Sequence, residues 1–253
     1  RIPDLAGIGT EGPFILLGAN VTFRQVIESA LLGAQAPVLV EAARSVGALP
    51  IQTVATLAGN VVSAQPAADG VVALLALDAE VQVASAAGRT WRPLAELFLG
   101  PGQSAVDPSR EMLTAIRFPA PGPGCGSAWE RIGRRQGLVL PILNCAVSLA
   151  LDGKEGQIAG ARIGLGPVAP VPFRARQTEA FLRGQPATED GRGVLASRAR
   201  LRGGGGGSSE QGEGGGDRGE GGHGRGLLGV WEVLRALRVP GRTRPGSSGQ
   251  APL

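Results

Sequence analysis

The amino-acid composition breaks sharply near residue 200, and that break limits where a fold can lie. Of the 42 glycines, 18 fall between Leu201 and Leu253, including the runs Gly203–Gly207 and Gly214–Gly216. A stretch so poor in apolar side chains cannot offset the entropy of ordering its backbone, so residues 201–253 are expected to be a disordered, low-complexity tail. One short helix is predicted inside it, over Leu227–Leu237. The Gly/Arg/Glu/Ser mixture also reads like a GC-rich gene translated in the wrong frame, an expectation that resequencing of the 3′ end tests directly. The chain opens on Arg1 with no signal-peptide pattern and no initiator Met, from which the expectation is that upstream sequence has been lost.

Several chemistries are excluded early. The only histidine, His223, sits in the glycine-rich stretch. Serine–histidine hydrolysis, cysteine–histidine catalysis and histidine zinc sites all need a histidine in a packed site. Any chemistry must therefore be carried by a cofactor or by carboxylates, and no catalytic side chain and no metal site is expected. The two cysteines, Cys125 and Cys145, are too few to ligate an iron–sulfur cluster. They read as small buried hydrophobes in a reducing, cytoplasmic compartment. The net charge of +4 comes without a basic run, and aromatics are only 4% of residues, so no nucleic-acid face is expected. No apolar run reaches the roughly 18 residues of a membrane span. With 43% hydrophobic residues, a sizeable core is available to the first 200 positions.

The order of predicted elements, with a Pro- and Gly-rich break after Pro119, divides those positions into two folded parts, 1–119 and 120–200, of α+β class. In the first, Phe14–Leu17 is a short strand, and Thr22 is an N-cap for a helix running to about Leu31. Pro37 opens a second helix through Val46, ended by Gly47, and Ala48–Ala68 is expected to be largely irregular. Asp69 is expected to cap a helix over Gly70–Leu77. Val81 and Val83 alternate in a strand that turns at Ala87-Gly88 into Arg89–Arg92, Leu94–Phe98 is a helical turn, and Met112–Phe118 is another strand. Pro119–Gly126 reads as a linker. Strands over 128–134, 145–151 and 158–165, then a helix over 174–182, predict a small three-stranded antiparallel sheet with helices.

The stretch that carries chemistry is Thr56-Leu57-Ala58-Gly59-Asn60. Small residues let a backbone approach a ligand closely, and successive amides can point at an anion. Thr56 and Asn60 add side-chain donors, and Asp69, nine residues on, can accept from a sugar or ribityl hydroxyl. There is no GxGxxG after a strand and no Walker lysine; the only lysine is Lys154. By itself the pattern fits an ordinary small-residue loop as well as a phosphate cradle.

A longer run decides between them. Residues 51–69, from Ile51 through Gly59-Asn60 and Gln65-Pro66-Ala67-Ala68-Asp69, resemble the flavin loop of the xanthine dehydrogenase and carbon monoxide dehydrogenase flavoprotein family, T-I-G-G-N followed by S-P-x-x-D. The likeness continues in Leu74–Ala79, in Glu111-Met112-Leu113 leading to Ile116–Pro119, in Ala161–Pro170, and in Arg174-Ala175 and Glu179–Gly184, so that it covers most of residues 1–187.

The resemblance implies an FAD-binding domain of the vanillyl-alcohol-oxidase (PCMH) type over 1–119, partial because its N-terminal lobe is not found, and the family's C-terminal flavoprotein domain over 120–200. It implies that Thr56, Leu57, Ala58, Gly59 and Asn60 contact the FAD pyrophosphate. Asp69 would hold a ribose or ribityl hydroxyl, and Leu113 would pack on the isoalloxazine ring. It implies partners as well: a small subunit with two [2Fe–2S] clusters, a molybdopterin large subunit, and NAD or a quinone as acceptor. The organic substrate would be oxidised elsewhere, and this chain would pass electrons.

Three departures bear on that. Ala58 stands where the family has glycine, and alanine fits only an ordinary backbone conformation. Glu130 stands where relatives often carry a lysine near the flavin, and its charge opposes that of reduced flavin; Arg131, Arg134 and Arg135 beside it read as a solvated basic face. The family's second glycine-rich pyrophosphate loop is not found, so the alternative is a truncated flavoprotein that keeps part of the fold and binds no FAD. An independent oxidase of the vanillyl-alcohol type is disfavoured, since such enzymes are much longer.

Overall fold

A computed structural model describes residues 5–134, 139–153 and 156–187 of the chain. The predicted tail helix, His223, Arg135 and Lys154 lie outside the described residues.

Strand β1 (Ile8–Glu11) and β2 (Phe14–Gly18) form a hairpin over Gly12, whose φ of +56° suits a residue without a side chain. Four helices of six residues, one of nine and one of eight follow: α1 (Phe23–Glu28), α2 (Ala30–Gln35), α3 (Pro37–Ser45, nine residues), α4 (Leu49–Val54), α5 (Leu57–Val62) and α6 (Asp69–Ala76). Then come β3 (Glu80–Ser85), β4 (Gly88–Pro93), a 3-10 turn at Leu94–Leu97, the small ribbon β5 (Phe98–Gly100) and β6 (Gln103–Ser104), and β7 (Glu111–Pro119). Strands β1, β2, β7, β3 and β4, in that order, make an antiparallel sheet. Ile15 and Leu17, Val81 and Val83, and Ile116 and Phe118 are buried in a core shared with the helices. The other face carries Arg117, whose guanidinium lies 4.4 Å from the Phe14 ring and 4.0 Å from the Trp91 ring and pairs with Glu80.

The second sheet comprises β8 (Cys125–Ile132), β9 (Leu143–Leu151), β10 (Ile158–Gly166) and β11 (Phe173–Arg174), ordered β11-β10-β9-β8, followed by α7 (Arg176–Leu182). It has four strands, not the three expected; β11, two residues long, is too short to show periodicity.

Helix α6 joins the two halves. Every one of its residues is buried, and it packs on β9 and β10 on one side and on α3 and α5 on the other. Burying Val71, Val72, Leu74 and Leu75 contributes roughly 1.5–3 kcal/mol each. Close approach is possible because β10 has glycine where it meets the helix: a Cβ on Gly164 would lie 2.3 Å from the Val72 carbonyl oxygen, and one on Gly166 would lie 2.6 Å from that of Pro66. Carboxylates fasten both ends. Asp69 opens the helix, while Asp78, just beyond it at φ +59°, pairs with Arg162 and Arg174. Arg174 also grips Glu179 of α7 through two 2.8 Å bonds. The segment expected to be a linker thus joins two parts that share an interface.

Three further expectations are corrected. Ala48–Ala68 is not irregular but holds α4 and α5, each under two turns and so too short to reveal a period of 3.6. The helix from Thr22 does not run through to Leu31. Ser29 ends α1 and caps α2, accepting from the Leu32 amide at 3.3 Å. Thr22 itself forms the expected cap, with Gln25 answering it in a capping box. Asp69 does not cap α6; Ala68 stands at that position and Asp69 is the first helical residue. Among the described residues no helix is long and apolar enough to cross a membrane.

Candidate flavin site

The pentapeptide singled out in the sequence is the N-cap and first turn of α5. The Thr56 hydroxyl accepts from the Gly59 amide at 3.0 Å, and the Thr56 carbonyl accepts from the Asn60 amide at 3.1 Å. The Leu57 amide donates to Val21 at 3.0 Å, part of the isolated bridge between Thr22 and Thr56. Three of the five amides are therefore already bonded, which narrows the expected cradle. The Thr56 and Ala58 amides have no acceptor among the described residues. Neither has the Asn60 side-chain amide, whose Oδ1 is buried without a donor. Ala58 lies in a right-handed helix, so the replacement of the family glycine costs no backbone strain.

Thr56→Ala is expected to lower stability by about 1 kcal/mol, the usual worth of a side-chain N-cap, with Thr56→Ser retaining most of it. Urea denaturation of the two variants checks this.

The first turns of α5 and α6 touch through Gly70. A Cβ there would lie 2.7 Å from Leu57 Cδ1 and 2.8 Å from Asn60 Oδ1. Next to it, Asp69 is only 6% exposed. Its Oδ1 accepts from Asn144 Nδ2 at 2.7 Å, and Arg131 Nε lies 3.4 Å from its Oδ2. The expected acceptor thus faces the C-terminal sheet rather than open solvent. Arg131 is not on a solvated face: its side chain is 12% exposed and also donates to the Val139 carbonyl. Leu113 is buried in the main core, on the strand against which α5 packs. The structure therefore brings Thr56–Asn60 and the strand of Leu113 side by side and turns Asp69 towards β8 and β9.

Burial raises the Asp69 carboxyl above its usual range, against the lowering effects of Asn144 and Arg131. The sign follows: a raised folded pKa favours the folded state when the group is protonated. The contribution of Asp69 is fully present below the ordinary carboxylate range and is lost as pH rises through the raised value. Asp107 and Glu111, lowered by hydrogen bonds from Ser109 and the Asp107 amide respectively, act in the opposite sense, so the whole chain shows a sum. Subtracting the stability curve of Asp69→Asn from that of the unmodified chain isolates the first slope; a flat difference over the acid range contradicts it.

Sequence reasoning missed Asn144, which is fully buried, because an asparagine within an apolar strand gives no local sign of what it meets 75 residues away. Cys145 behaves as expected, its thiol pushed up to about 12 by burial and by the nearby Glu130 charge. The carboxyl of Glu41 on α3 is raised by burial, and the Glu130 charge adds to the rise.

Comparison with known proteins shows what the chain resembles. Residues 1–121 match the family described as the FAD binding domain in molybdopterin dehydrogenase, and residues 128–199 match the CO dehydrogenase flavoprotein C-terminal domain. The chain is 29% identical over 188 residues to the xanthine dehydrogenase FAD-binding subunit of Escherichia coli O157:H7, covering 74% of this chain and 63% of that protein. It is 29% identical over 190 residues to the carbon monoxide dehydrogenase medium chain of Hydrogenophaga pseudoflava, covering 75% and 65%. The chain thus spans less than two thirds of the length of these relatives. The solved Hydrogenophaga pseudoflava carbon monoxide dehydrogenase, in a form lacking the Mo-pyranopterin moiety, superimposes with a TM-score of 0.76 at 27% identity, over 94% of this chain and 78% of that one.

Proposed function

The chain belongs to the family of FAD-binding subunits of molybdenum hydroxylases, and on that premise we propose that it holds FAD and passes electrons from a partner to an acceptor without transforming the organic substrate. The observation that carries this reading is the set of donors left open at the first turn of α5: the Thr56 and Ala58 amides and Asn60 Nδ2. Amide donors without acceptors at a helix start suit a phosphate oxygen, and small residues there keep the approach clear. The residues present therefore fit one arm of a dinucleotide pyrophosphate.

Bound FAD supplies the redox chemistry, taking up and releasing electrons. The chain's own residues bind and orient. Thr56 fixes the turn that exposes the donors, and Asn60 adds a side-chain donor. With Asn144 on Oδ1 and Arg131 facing Oδ2, the Asp69 carboxylate retains acceptor capacity for a hydroxyl of the sugar or ribityl chain. Leu113 supplies apolar surface to the ring on the adjoining strand. The partners proposed are a small subunit with two [2Fe–2S] clusters and a molybdopterin large subunit, with NAD or a quinone as acceptor, in the cytoplasm.

Titration of the purified full chain with FAD, followed by flavin fluorescence and visible absorption, tests the binding. Saturable one-to-one uptake supports the reading. A chain that takes up no flavin favours the alternative, a flavoprotein fragment that keeps the fold and binds none. Co-purification with iron–sulfur and molybdenum subunits tests the partners, and a chain recovered alone with its flavin contradicts them.

A further inference from the structure

We infer that Asn144 and Arg131 are positioning residues for the flavin site: from the C-terminal sheet they fix the start of α6, and α6 holds Asn60 in place at the start of α5. This rests on the flavin reading above, but its structural half stands on contacts within the protein.

The contacts form an unbroken path. Asn144 is held from behind by β10, where a Cβ on Gly166 would fall 2.7 Å from Asn144 Oδ1. Its Nδ2 reaches Asp69 at 2.7 Å, and Arg131 approaches the other carboxylate oxygen at 3.4 Å. Asp69 is followed directly by Gly70, which touches Asn60 Oδ1 and Leu57 with no room for even a methyl group. A shift of Asp69 therefore moves the side chain whose Nδ2 is one of the open donors.

The polarity of the path is costly. Asn144 Oδ1, Arg131 Nε and Asn60 Oδ1 are all buried without hydrogen-bond partners. Half-satisfied buried polar groups cost stability that apolar side chains of similar volume would not. A sequence that breaks a local packing rule does so where position matters more than stability. Here the polar path links docking of the C-terminal sheet to the order of the flavin-binding turn.

The test uses the full chain with Asn144→Leu, Gly70→Ala, and the double variant Asp69→Asn with Asn144→Asp, which restores the hydrogen bond with its direction reversed. Two quantities are read: FAD affinity, and amide hydrogen exchange of Gly59 and Asn60 relative to β7 in the FAD-free chain. Asn144→Leu is expected to weaken FAD binding about tenfold and to speed exchange at Gly59 and Asn60 while leaving β7 unchanged. The double variant is expected to recover the slow exchange, a readout that does not need the Asp69 carboxylate proposed for the flavin. Gly70→Ala, which leaves the Asp69–Asn144 bond intact, is expected to reproduce the loss. Exchange in Asn144→Leu that stays as in the unmodified chain, or that rises equally in β7, overturns the inference, as does a double variant whose Gly59 and Asn60 exchange is no slower than in Asn144→Leu. If Asn144→Leu fails to fold, Gly70→Ala decides: unaltered affinity and exchange overturn the inference. If the unmodified chain takes up no FAD, the flavin reading fails alone, and the exchange comparison still decides whether the coupling exists.

Discussion

Replacing Gly164 by valine is expected to lower the stability of the chain by about 3 kcal/mol or more, the upper range for overpacking a close contact. A Cβ at this position would lie 2.3 Å from the Val72 carbonyl oxygen and 3.4 Å from Leu75 Cβ. The nearer obstacle is backbone, which no rotamer change can remove, so α6 must lift away from β10. That uncovers the helix that joins the two sheets, including Val72, Leu74 and Leu75, all 2% exposed or less. Gly160 on the same strand is the control. There the nearest atom to a new Cβ is 4.0 Å away, and alanine is expected to change stability by no more than about 0.5 kcal/mol. Thermal unfolding reads the difference as a drop in Tm of about 6–12 °C for Gly164→Val. A drop no larger than that of Gly160→Ala would mean that the two halves are not packed as described.

Asp69→Ala is expected to cost about 3–5 kcal/mol, because it strands a buried guanidinium and a buried amide together. Arg131 and Asn144 would both lose their carboxylate, with side-chain exposure of only 12% for Arg131 and none for Asn144. Asp69→Asn keeps an acceptor for Asn144 and should cost less. The raised carboxyl of Asp69 gives a further expectation, since burial there opposes the charged form by more than its partners favour it. Removing the polar set at once, with Asp69→Ala, Asn144→Leu and Arg131→Met combined, should be less destabilising than Asp69→Ala alone. Urea denaturation of the single and triple variants decides. A triple variant that is the least stable of the set would show that the ion pair is itself a net source of stability.

How much of this was legible in the sequence depends on the range of the interaction. Local signals read correctly: the Thr22 N-cap, the Pro37 start and Gly47 stop of α3, the β3–β4 hairpin, and the strand over residues 112–118 are all decided within a few residues. What failed was non-local. α4 and α5 are too short for a period, and they form because tertiary contacts such as the Leu57–Val21 and Phe23–Ala55 hydrogen bonds hold them. For the site, spacing located the pentapeptide but not the state of its amides, because the bond from Leu57 to Val21 spans 36 positions. The same limit applied to Asp69 and Arg131. Their types suggested a hydroxyl acceptor and a solvated cation, and only the fold shows that they meet each other across the interface of the two halves.

The most direct test of the flavin site is amide hydrogen exchange of the full chain with and without FAD, resolved at Thr56 and Ala58. Binding at the first turn of α5 predicts that both amides, open in the free protein, slow at least about tenfold when FAD is added, as expected when an exposed donor gains an acceptor. FAD bound tightly with both rates unchanged would place the flavin elsewhere on the molecule.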